Sequence, residues 1–329
     1  MKVCIIGATG HTGYVFEGLS GEDAPVLAGI APGSPGESID GLYRDSIDRG
    51  FSPERFDDYM EMLSKLKPDI AAVACYFSDH AKVAAQALKM GIHVFVEKPV
   101  ATTLEDLEML KEVHRDSGVH LCAMLGLRYE PSFRTAWKAV KDGKIGSVRL
   151  MSAQKSYKLG SRQDNFKKRE TYGGTIPWVG SHAIDWLYWI GGEKFESVRA
   201  AHSTMHNRDH GELEMSALCH FTFSNQVFGS VNIDYLRPSR AAGHGDDRIR
   251  AAGTEGVIEV RGGKIYLMNN DTDGMIELPL EDGQPIFADF VKQVKGQGEC
   301  LISAGDSFMI TEASLKARQS ADENRIIVF

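Results

Sequence analysis

The chain opens with the stretch Lys2-Val3-Cys4-Ile5-Ile6-Gly7-Ala8-Thr9-Gly10-His11-Thr12-Gly13, a β-branched run that ends in a glycine-rich turn. Residues 14–19 continue with a helical pattern. A strand, a glycine turn and a helix in this order present backbone N–H groups and a helix N-terminus to a pyrophosphate. The stretch therefore predicts a dinucleotide-binding domain, whose phosphate-binding residues are Gly7, Thr9, Gly10, His11, Thr12 and Gly13.

Strands and helices alternate from this turn to residue 125, which predicts a doubly wound parallel sheet. Residues 69–75 are apolar almost throughout, as a parallel strand covered on both faces should be. Thr103-Leu104-Glu105-Asp106 resembles a capping box that opens a helix, and Gly118 ends that helix. The predicted strands are 2–6, 26–30, 69–75, 93–96 and 120–124.

The end of the second strand, residues 26–30, is where an acidic residue that binds the adenosine ribose is expected. Ala31-Pro32-Gly33-Ser34 offers neither a carboxylate, which favours NAD, nor an arginine for the 2′-phosphate of NADP, although Arg44 or Arg49 could fold back. Ala31 is still predicted to lie at the cofactor. The cofactor is therefore NAD or NADP, with the preference open.

Two aromatic residues follow the strand at 69–75, namely Tyr76 and Phe77, with His80 shortly after them. We expect all three at the cofactor, where the aromatic rings would flank an adenosine or nicotinamide ring. The alternative is that the two rings are packing groups.

The second half of the chain changes character. From residue 148 onward strands follow one another through short turns, and residues 215–223 and 227–235 alternate with period two around a Ser224-Asn225-Gln226 hairpin turn. This pattern predicts an α+β domain with a large, mostly antiparallel open sheet. The further predicted strands are 248–252, 257–260 and 264–268.

The chain is thus expected to divide into a Rossmann domain, residues 1–125, and a substrate-binding and oligomerisation domain, residues 126–329. A large sheet with alternating apolar residues rarely keeps one face bare. We therefore expect a homo-oligomer, a dimer or tetramer, that forms through the open face of the second sheet.

Composition limits the class of protein. The formal net charge of −8 argues against nucleic-acid binding, which depends on basic surface. No apolar stretch is long enough to span a bilayer, and Met1 leads into a strand rather than a signal peptide. The five dispersed cysteines suit buried thiols in a reducing cytoplasm better than disulfides or a zinc site. These features predict a soluble cytoplasmic protein.

The stretch Phe95-Val96-Glu97-Lys98-Pro99 places two opposite charges and a proline directly after a buried strand. Ligands of open α/β sheets bind at the carboxyl ends of the strands, so Lys98 is positioned to meet a substrate, with Glu97 and Lys98 also near the cofactor. The alternative is a surface ion pair that caps the strand.

A second candidate site lies on a helix that begins near Pro177 and ends before Gly191-Gly192. Helical spacing places Trp178, His182, Asp185 and Trp189 on one face and the core residues on another. His182 and Asp185 can hydrogen-bond, which would fix the imidazole tautomer for proton transfer. The alternative is a structural His/Asp pair.

Residues 157–172 are rich in basic side chains and precede this helix. Tyr157 and Arg162 are predicted substrate contacts if the segment is a lid that favours anionic or richly hydroxylated ligands; a solvated loop is the alternative. His202, His206 and His210 recur every fourth residue, but the segment has the pattern of strand and turn, so no metal is expected.

The order of these features resembles the Gfo/Idh/MocA family of NAD(P)-dependent oxidoreductases. The resemblance rests on the glycine turn, Glu97-Lys98-Pro99, the Gly-Gly and Gly-Ser-His-Ala-Ile-Asp motifs of residues 173–185, Arg128 with Pro131, and Gly253-Thr254-Glu255-Gly256. It implies hydride transfer between a nicotinamide and a sugar, inositol or other polyol held between two domains. The family lysine falls on Lys98, the family histidine on His182, and Arg128 is expected at the cofactor.

One position departs from the family pattern. Most catalytic members carry an aspartate four residues before the histidine, where this chain has Trp178. The change removes a negative charge and supplies an apolar plate that could stack on a sugar face. Asp185 lies on the other side of His182 in sequence and does not obviously replace that aspartate.

The resulting hypothesis is an NAD(P)-dependent dehydrogenase or reductase acting on a CH–OH group of a sugar, glycoside or polyol. His182 would take the hydroxyl proton and Lys98 would stabilise the developing negative charge. The predicted substrate contacts are Lys98, Tyr157, Arg162, Trp178, His182 and Asp185. The alternatives are a redox-assisted glycosidase, which oxidises the sugar transiently before elimination, and a catalytically silent dinucleotide-binding sensor.

Overall fold

The computed structural model describes residues 1–21 and 23–329. Contacts divide the chain into two compact units. The first unit contains 1–126, 170–173 and 284–311, and the second contains 127–169, 174–283 and 312–329. The functional domain boundary expected at residue 125 stays a prediction.

The first unit is a doubly wound parallel sheet of six strands in the order β3-β2-β1-β4-β5-β6, which confirms the predicted Rossmann fold. The strands are β1 (Lys2–Ile6), β2 (Val26–Ala31), β3 (Glu54–Arg55), β4 (Ile70–Val73), β5 (His93–Val96) and β6 (Leu121–Ala123). The helices up to residue 126 are α1 (Gly13–Glu17), α2 (Asp40–Asp48), α3 (Tyr59–Leu66), α4 (His80–Lys89) and α5 (Leu104–Ser117).

Local signals set the ends of these elements. Thr103 caps α5 by accepting a hydrogen bond from the Asp106 N–H at 3.1 Å, and Gly118 ends the helix in the left-handed conformation at φ +69°. All four residues of β4 are buried, since helices cover both faces of the sheet. The two-residue edge strand β3 is too short to give a periodic signal, and the sequence did not predict it.

Residues far along the chain complete the first unit. Helix α9 (Ile286–Val294) packs against β5, where Phe95 lies 5.1 Å from Phe287 and 5.7 Å from Phe290 between ring centroids. The last helix of the chain is α10 (Ala304–Glu323). Thr311 on this helix accepts a hydrogen bond from the Val100 N–H at 3.3 Å, directly after the Glu97-Lys98-Pro99 turn.

The second unit is built on a nine-stranded mixed sheet in the order β14-β13-β12-β11-β7-β10-β9-β8-β15. Adjacent strands are antiparallel except β10 and β7, which are parallel, so the expected large, mostly antiparallel sheet is confirmed. The strands are β7 (Val148–Tyr157), β8 (Phe195–Ser203), β9 (Ser216–Phe223), β10 (Val227–Asp234), β11 (Gly245–Gly253), β12 (Gly256–Arg261), β13 (Lys264–Asn269), β14 (Ile276–Glu277) and β15 (Ile327–Val328).

Helices cover one face of this sheet. They are α6 (Pro131–Lys141) and α8 (Ser181–Gly191). A short helix, α7 (Arg169–Tyr172), lies between them in the chain, where the chain passes from one unit to the other. A π-helical segment, Ile176–Gly180, leads into α8. The sequence predicted a helix with one core face, but every residue of 181–190 except Tyr188 is buried, so both faces of α8 are enclosed.

No helix in residues 1–21 and 23–329 combines the length and the apolar character that crossing a bilayer requires.

Candidate functional site

The glycine turn after β1 has a conformation that only glycine adopts without strain. Gly7 and Gly10 have φ values of +90° and +102°. A Cβ atom added to Gly10 would lie 2.6 Å from Oε2 of Glu97, and one added to Gly7 would overlap the backbone of Cys75. The turn is therefore packed tightly against the ends of β4 and β5.

Three backbone N–H groups of this turn, those of Gly10, Thr12 and Gly13, have no hydrogen-bond partner within the part of the chain that the structure describes. A Cβ atom added to Gly13 would meet nothing within 4 Å. Unpaired donors beside open space suit the oxygens of a pyrophosphate. The residues present therefore fit the phosphates of a dinucleotide.

Glu97 links the turn to the end of β5. Its side chain is fully buried, and its carboxylate accepts hydrogen bonds from the His11 N–H at 2.6 Å and the Lys98 N–H at 3.0 Å. The His11 ring nitrogen Nδ1 lies 2.8 Å from Oε2. Burial alone would raise the pKa of Glu97, but the charge of His11, the hydrogen bonds from His11 and the charge of Lys98 lower it to about 2.

Lys98 lies at the carboxyl end of β5 with only 3% of its surface exposed. Its Nζ is 3.9 Å from Oε1 of Glu97, and the Lys98–Pro99 peptide bond is cis. Lys98 is thus a buried amine at this edge of the sheet rather than part of an exposed surface pair, and its role at a substrate stays a prediction.

His80 and Phe77 lie inside the first unit. The His80 ring contacts the Pro99 carbonyl at 2.9 Å and the Cys75 carbonyl at 3.1 Å, so it joins the end of β4 to the lysine turn. Burial lowers the pKa of His80. Phe77 is 1% exposed and packs on His80 with ring centroids 5.1 Å apart, which favours the packing alternative for Phe77, whereas Tyr76 is half-buried.

The acid that the sequence did not reveal is Glu37. Its Oε1 accepts hydrogen bonds from the Ala8 N–H at 2.9 Å and from the Thr9 hydroxyl at 3.0 Å, and its Oε2 accepts from the Gly33 N–H at 3.0 Å. Ala31, at the end of β2, is fully buried. The Glu37 carboxylate, six residues beyond β2, thus reaches the edge of the sheet where an acid that binds the adenosine ribose is expected. An acidic residue shortly after β2 is the sequence feature that could have identified it.

Arg128 and Asp185 form a buried ion pair in the second unit. Arg128 donates from Nε to both carboxylate oxygens of Asp185, at 3.0 and 2.9 Å, and from Nη2 to Oδ1 at 2.6 Å. The two side chains are 2% and 1% exposed. The sequence predicts that Arg128 contacts the cofactor and that Asp185 contacts the substrate. In the structure the two side chains bind each other, and their roles at the cofactor and the substrate stay predictions.

His182 lies in the first turn of α8, where it is 2% exposed, and Trp178 precedes it by four residues in the π-helical segment. Trp178 packs against Phe166 and Tyr235, with ring centroids 4.4 and 6.0 Å apart. Arg162 lies over both Trp178 and Tyr235. The structure therefore brings two predicted substrate contacts, Arg162 and Trp178, into one neighbourhood.

Tyr235 is the member of this neighbourhood that sequence reasoning placed only in a strand. It directly follows β10, and its ring centroid lies 6.4 Å from that of Tyr157, a predicted substrate contact. The only sequence feature that could have indicated a role for Tyr235 is an aromatic residue at the end of a strand, and many residues of the core share that feature.

The histidines at every fourth position do not share a site. His202 lies 3.7 Å from Glu214 and 3.3 Å from Asp322, whereas the His210 ring contacts the Asn207 carbonyl at 2.8 Å. Within the described residues, no group of three or more histidine, cysteine or acidic side chains is arranged for a metal ion. The expectation that the protein needs no metal stays a prediction.

Comparison with protein families matches both halves of the chain. Residues 1–124 match the family described as oxidoreductase family, NAD-binding Rossmann fold, and residues 133–259 match the GFO/IDH/MocA C-terminal domain.

Three similar proteins illustrate the range of relatives. A solved Thermotoga maritima structure, named only as a candidate oxidoreductase, is 49% identical with a TM-score of 0.96 and covers 100% of both chains. Myo-inositol 2-dehydrogenase from Thermotoga maritima is 23% identical over 285 residues, 83% of each chain. Glycosyl hydrolase family 109 protein 2 from Akkermansia muciniphila is 33% identical over 91 residues, 28% of this chain.

The chain spans 19%, 34% and 57% of the length of three of the first curated relatives that it matches, so these local matches do not extend over the relatives as wholes. Together, the two family matches and the 49% identity over the whole chain show that the chain belongs to the Gfo/Idh/MocA family, with an NAD-binding Rossmann domain at residues 1–124.

Proposed function

We propose that this protein is an NAD-dependent oxidoreductase that transfers hydride between the nicotinamide and a secondary alcohol or ketone of a sugar, glycoside or polyol. The observation that carries the proposal is the glycine turn, whose three unpaired N–H donors at Gly10, Thr12 and Gly13 suit a pyrophosphate. Family membership supports oxidoreductase chemistry, and the inositol dehydrogenase named above supports a polyhydroxylated substrate.

Two residues are assigned to the reacting hydroxyl group. The His182 imidazole takes the hydroxyl proton, and the Lys98 Nζ donates a hydrogen bond to the same oxygen and stabilises its developing negative charge. Bound nicotinamide supplies the hydride acceptor or donor. The buried carboxylate of Glu97 lies 3.9 Å from Nζ and places a negative charge beside the Lys98 amine.

We also propose that the cofactor is NAD rather than NADP. Glu37 brings a carboxylate to the end of β2, where its oxygens accept from Ala8 and Gly33. The 2′-phosphate of NADP carries negative charge, so a carboxylate at this edge repels it, whereas ribose hydroxyls of NAD can donate hydrogen bonds to the same group.

The direct test is the activity of Lys98→Met and His182→Ala on a panel of sugars, inositols and glycosides, with reduced nicotinamide followed by absorbance. Each variant should lose roughly 100-fold or more in kcat, because each removes an acid–base or oxyanion contact, while NADH still binds. The exposed Lys89→Met and His220→Ala are matched controls and should retain wild-type rates.

Near-normal kcat in either active-site variant would remove that residue from its role. Cleavage of a glycoside without net NADH would show a redox-assisted glycosidase instead. Tight NADH binding with no turnover on any tested carbohydrate, in wild type as in the variants, would support the sensor alternative.

We further propose that a second copy of the chain covers the open face of the nine-stranded sheet. Leu150 of β7 pairs in register with Phe228 of β10, and these side chains are 53% and 40% exposed on that face. Arg250 and Glu259 add both charge signs to the same sheet, 3.2 Å apart, which suits a self-complementary two-fold contact. Light scattering should show a dimer or tetramer that Phe228→Glu dissociates.

The proposed location is the cytoplasm. All five cysteines are described by the structure, all are buried, and no disulfide joins them.

A further inference from the structure

The guanidinium of Arg162 is held in a fixed position by two aromatic rings. Its central carbon lies 5.4 Å from the ring centroid of Trp178 and 5.3 Å from that of Tyr235. The two ring centroids are 6.0 Å apart, so the guanidinium lies beside both rings rather than between them, and the two cation–π contacts restrict its position. Arg162 is therefore pre-organised to donate hydrogen bonds to a planar or tetrahedral oxyanion.

Arg162 has few partners of its own. Nη2 donates to the Lys158 carbonyl at 3.3 Å, and the buried Nε has no hydrogen-bond partner. Across residues 1–21 and 23–329, no acidic side chain forms an ion pair with Arg162. A guanidinium offers five N–H donors, so the remaining N–H groups of Nη1 and Nη2 can bind a ligand.

Arg162 and two lysines act on one imidazole, that of His244, and the acid that acts on the same ring forms an ion pair with Lys155. Burial lowers the pKa of His244, and the charges of Arg162, Lys158 and Lys155 lower it further, against the opposite effect of Asp247. Asp247 is bonded to Lys155 at 2.6 Å. The charges of Arg162 and Lys158 therefore lack a carboxylate partner in this part of the second unit.

A cavity of about 240 Å³ adjoins this group and shares Lys158 and Tyr235 with it. Its basic lining residues are Lys158, His206, Arg208 and Arg237, and no acidic residue lines it. A concave site with one sign of charge attracts ligands of the opposite sign.

Trp178, the ring that Arg162 contacts, lies close in sequence to the proposed proton acceptor. Trp178, which carries Arg162 on its ring face, precedes His182 by four residues, about one helical turn. One helical turn is roughly 5 Å along the axis, comparable with the width of a sugar ring. A substrate whose hydroxyl reacts at His182 can therefore place a substituent near Arg162.

Resting on the proposed function, we infer that the substrate is an anionic sugar or polyol whose carboxylate or phosphate binds the N–H edge of Arg162. The tryptophan at the position of the usual family aspartate fits this substrate class, because an aspartate there would pair with Arg162 and repel the anion. The ring faces of Trp178 and Tyr235 then hold Arg162 rather than only stacking on a neutral sugar.

The test compares wild type with Arg162→Gln, which removes the charge but keeps a polar side chain that can donate hydrogen bonds. Glucuronate and gluconate represent carboxylates, glucose 6-phosphate represents phosphates, and glucose and myo-inositol are neutral. Calorimetry measures binding and NADH absorbance measures turnover. Wild type should bind at least one anionic compound more tightly than the neutral ones, and Arg162→Gln should weaken that binding roughly 10- to 100-fold.

The preferred anion distinguishes carboxylate from phosphate recognition. Arg261→Gln is the matched control. The guanidinium of Arg261 lies over the Tyr266 ring at 4.9 Å, but at an exposed position of the same sheet, so this variant should leave binding unchanged. Tighter binding of neutral sugars by wild type, or equal binding by Arg162→Gln, would overturn the inference. In that case, turnover of neutral sugars would still support the proposed oxidoreductase activity. Selective binding of an anion without any turnover would instead reject the oxidoreductase activity and support the anion site at Arg162.

Discussion

Replacing Glu97 with glutamine should destabilise the first unit in a way that depends on pH. The carboxylate is fully buried, and it accepts hydrogen bonds from the N–H groups of His11 and Lys98. A pKa lowered from 4.5 to about 2 corresponds to about 3 kcal/mol of stability at neutral pH, because one pKa unit is worth about 1.4 kcal/mol. Glutamine keeps the size and one acceptor but removes the charge, so Glu97→Gln should lose most of that amount.

The sign of the pH effect follows from the lowered pKa. A carboxyl group that is more acidic in the folded state stabilises the fold fully above its unfolded pKa of 4.5, and this contribution disappears as the pH falls towards 2. The stability difference between wild type and Glu97→Gln should therefore be about 3 kcal/mol at pH 7 and roughly half of that near pH 3.

Urea unfolding at pH 7, 5, 4 and 3, followed by circular dichroism, measures this difference. Glu112→Gln is the control, because Glu112 is exposed on α5 of the same unit and should change stability by less than about 0.5 kcal/mol. Equal stability of wild type and Glu97→Gln at pH 7, or a difference that does not narrow between pH 5 and pH 3, would refute the reasoning.

Three further predictions test other parts of the structure. Asp185→Ala should lower the free energy of unfolding, measured by urea titration, by about 3–5 kcal/mol, because it leaves the Arg128 charge buried without its partner. The double variant Arg128→Met/Asp185→Leu should recover much of this loss, and a loss below about 1 kcal/mol in Asp185→Ala would contradict the buried pair. Glu37→Gln should shift the ratio of NADPH to NADH affinity roughly tenfold towards NADPH in fluorescence titrations, and an unchanged ratio would remove Glu37 from the choice of cofactor. Gly10→Ala should lower both the melting temperature and the NADH affinity, since its Cβ would lie 2.6 Å from the Glu97 carboxylate. Gly13→Ala should weaken NADH binding but leave the melting temperature unchanged or higher, because its Cβ would meet no protein atom within 4 Å. Equal effects of the two variants on both quantities would argue against a pyrophosphate bound beside Gly13.

Much of the first unit follows from short-range sequence signals. The strand and glycine turn of residues 2–13 and the capped helix that begins after Thr103 are each encoded within a few neighbouring residues. Lys98 was predicted at the carboxyl edge of the sheet because strand and turn alternate regularly there. Short-range signals do not predict that Glu97 is buried and bonded to His11, because these two residues are 86 positions apart in the sequence.

The second unit contains a partner that pattern alone does not predict. Helical spacing makes Asp185 a neighbour of His182, and the structure bonds Asp185 to Arg128, 57 residues earlier. Residues 181–190 are buried on both faces apart from Tyr188, and a helix enclosed all round carries no polar stripe that marks a functional side.

The sequence by itself determined the order of strands and helices, the glycine turn and the candidate lysine and histidine, since these depend on periodicity and on residues that permit special backbone angles. Only the tertiary structure decided which charges are compensated: Glu37 reaches the glycine turn, Asp185 binds Arg128, and Arg162 lies over Trp178 and Tyr235 without an acidic partner among the described residues. The physical reason is that an ion pair forms between side chains brought together by folding, and the energetic cost of burying a charge depends on those neighbours rather than on the residues adjacent in sequence.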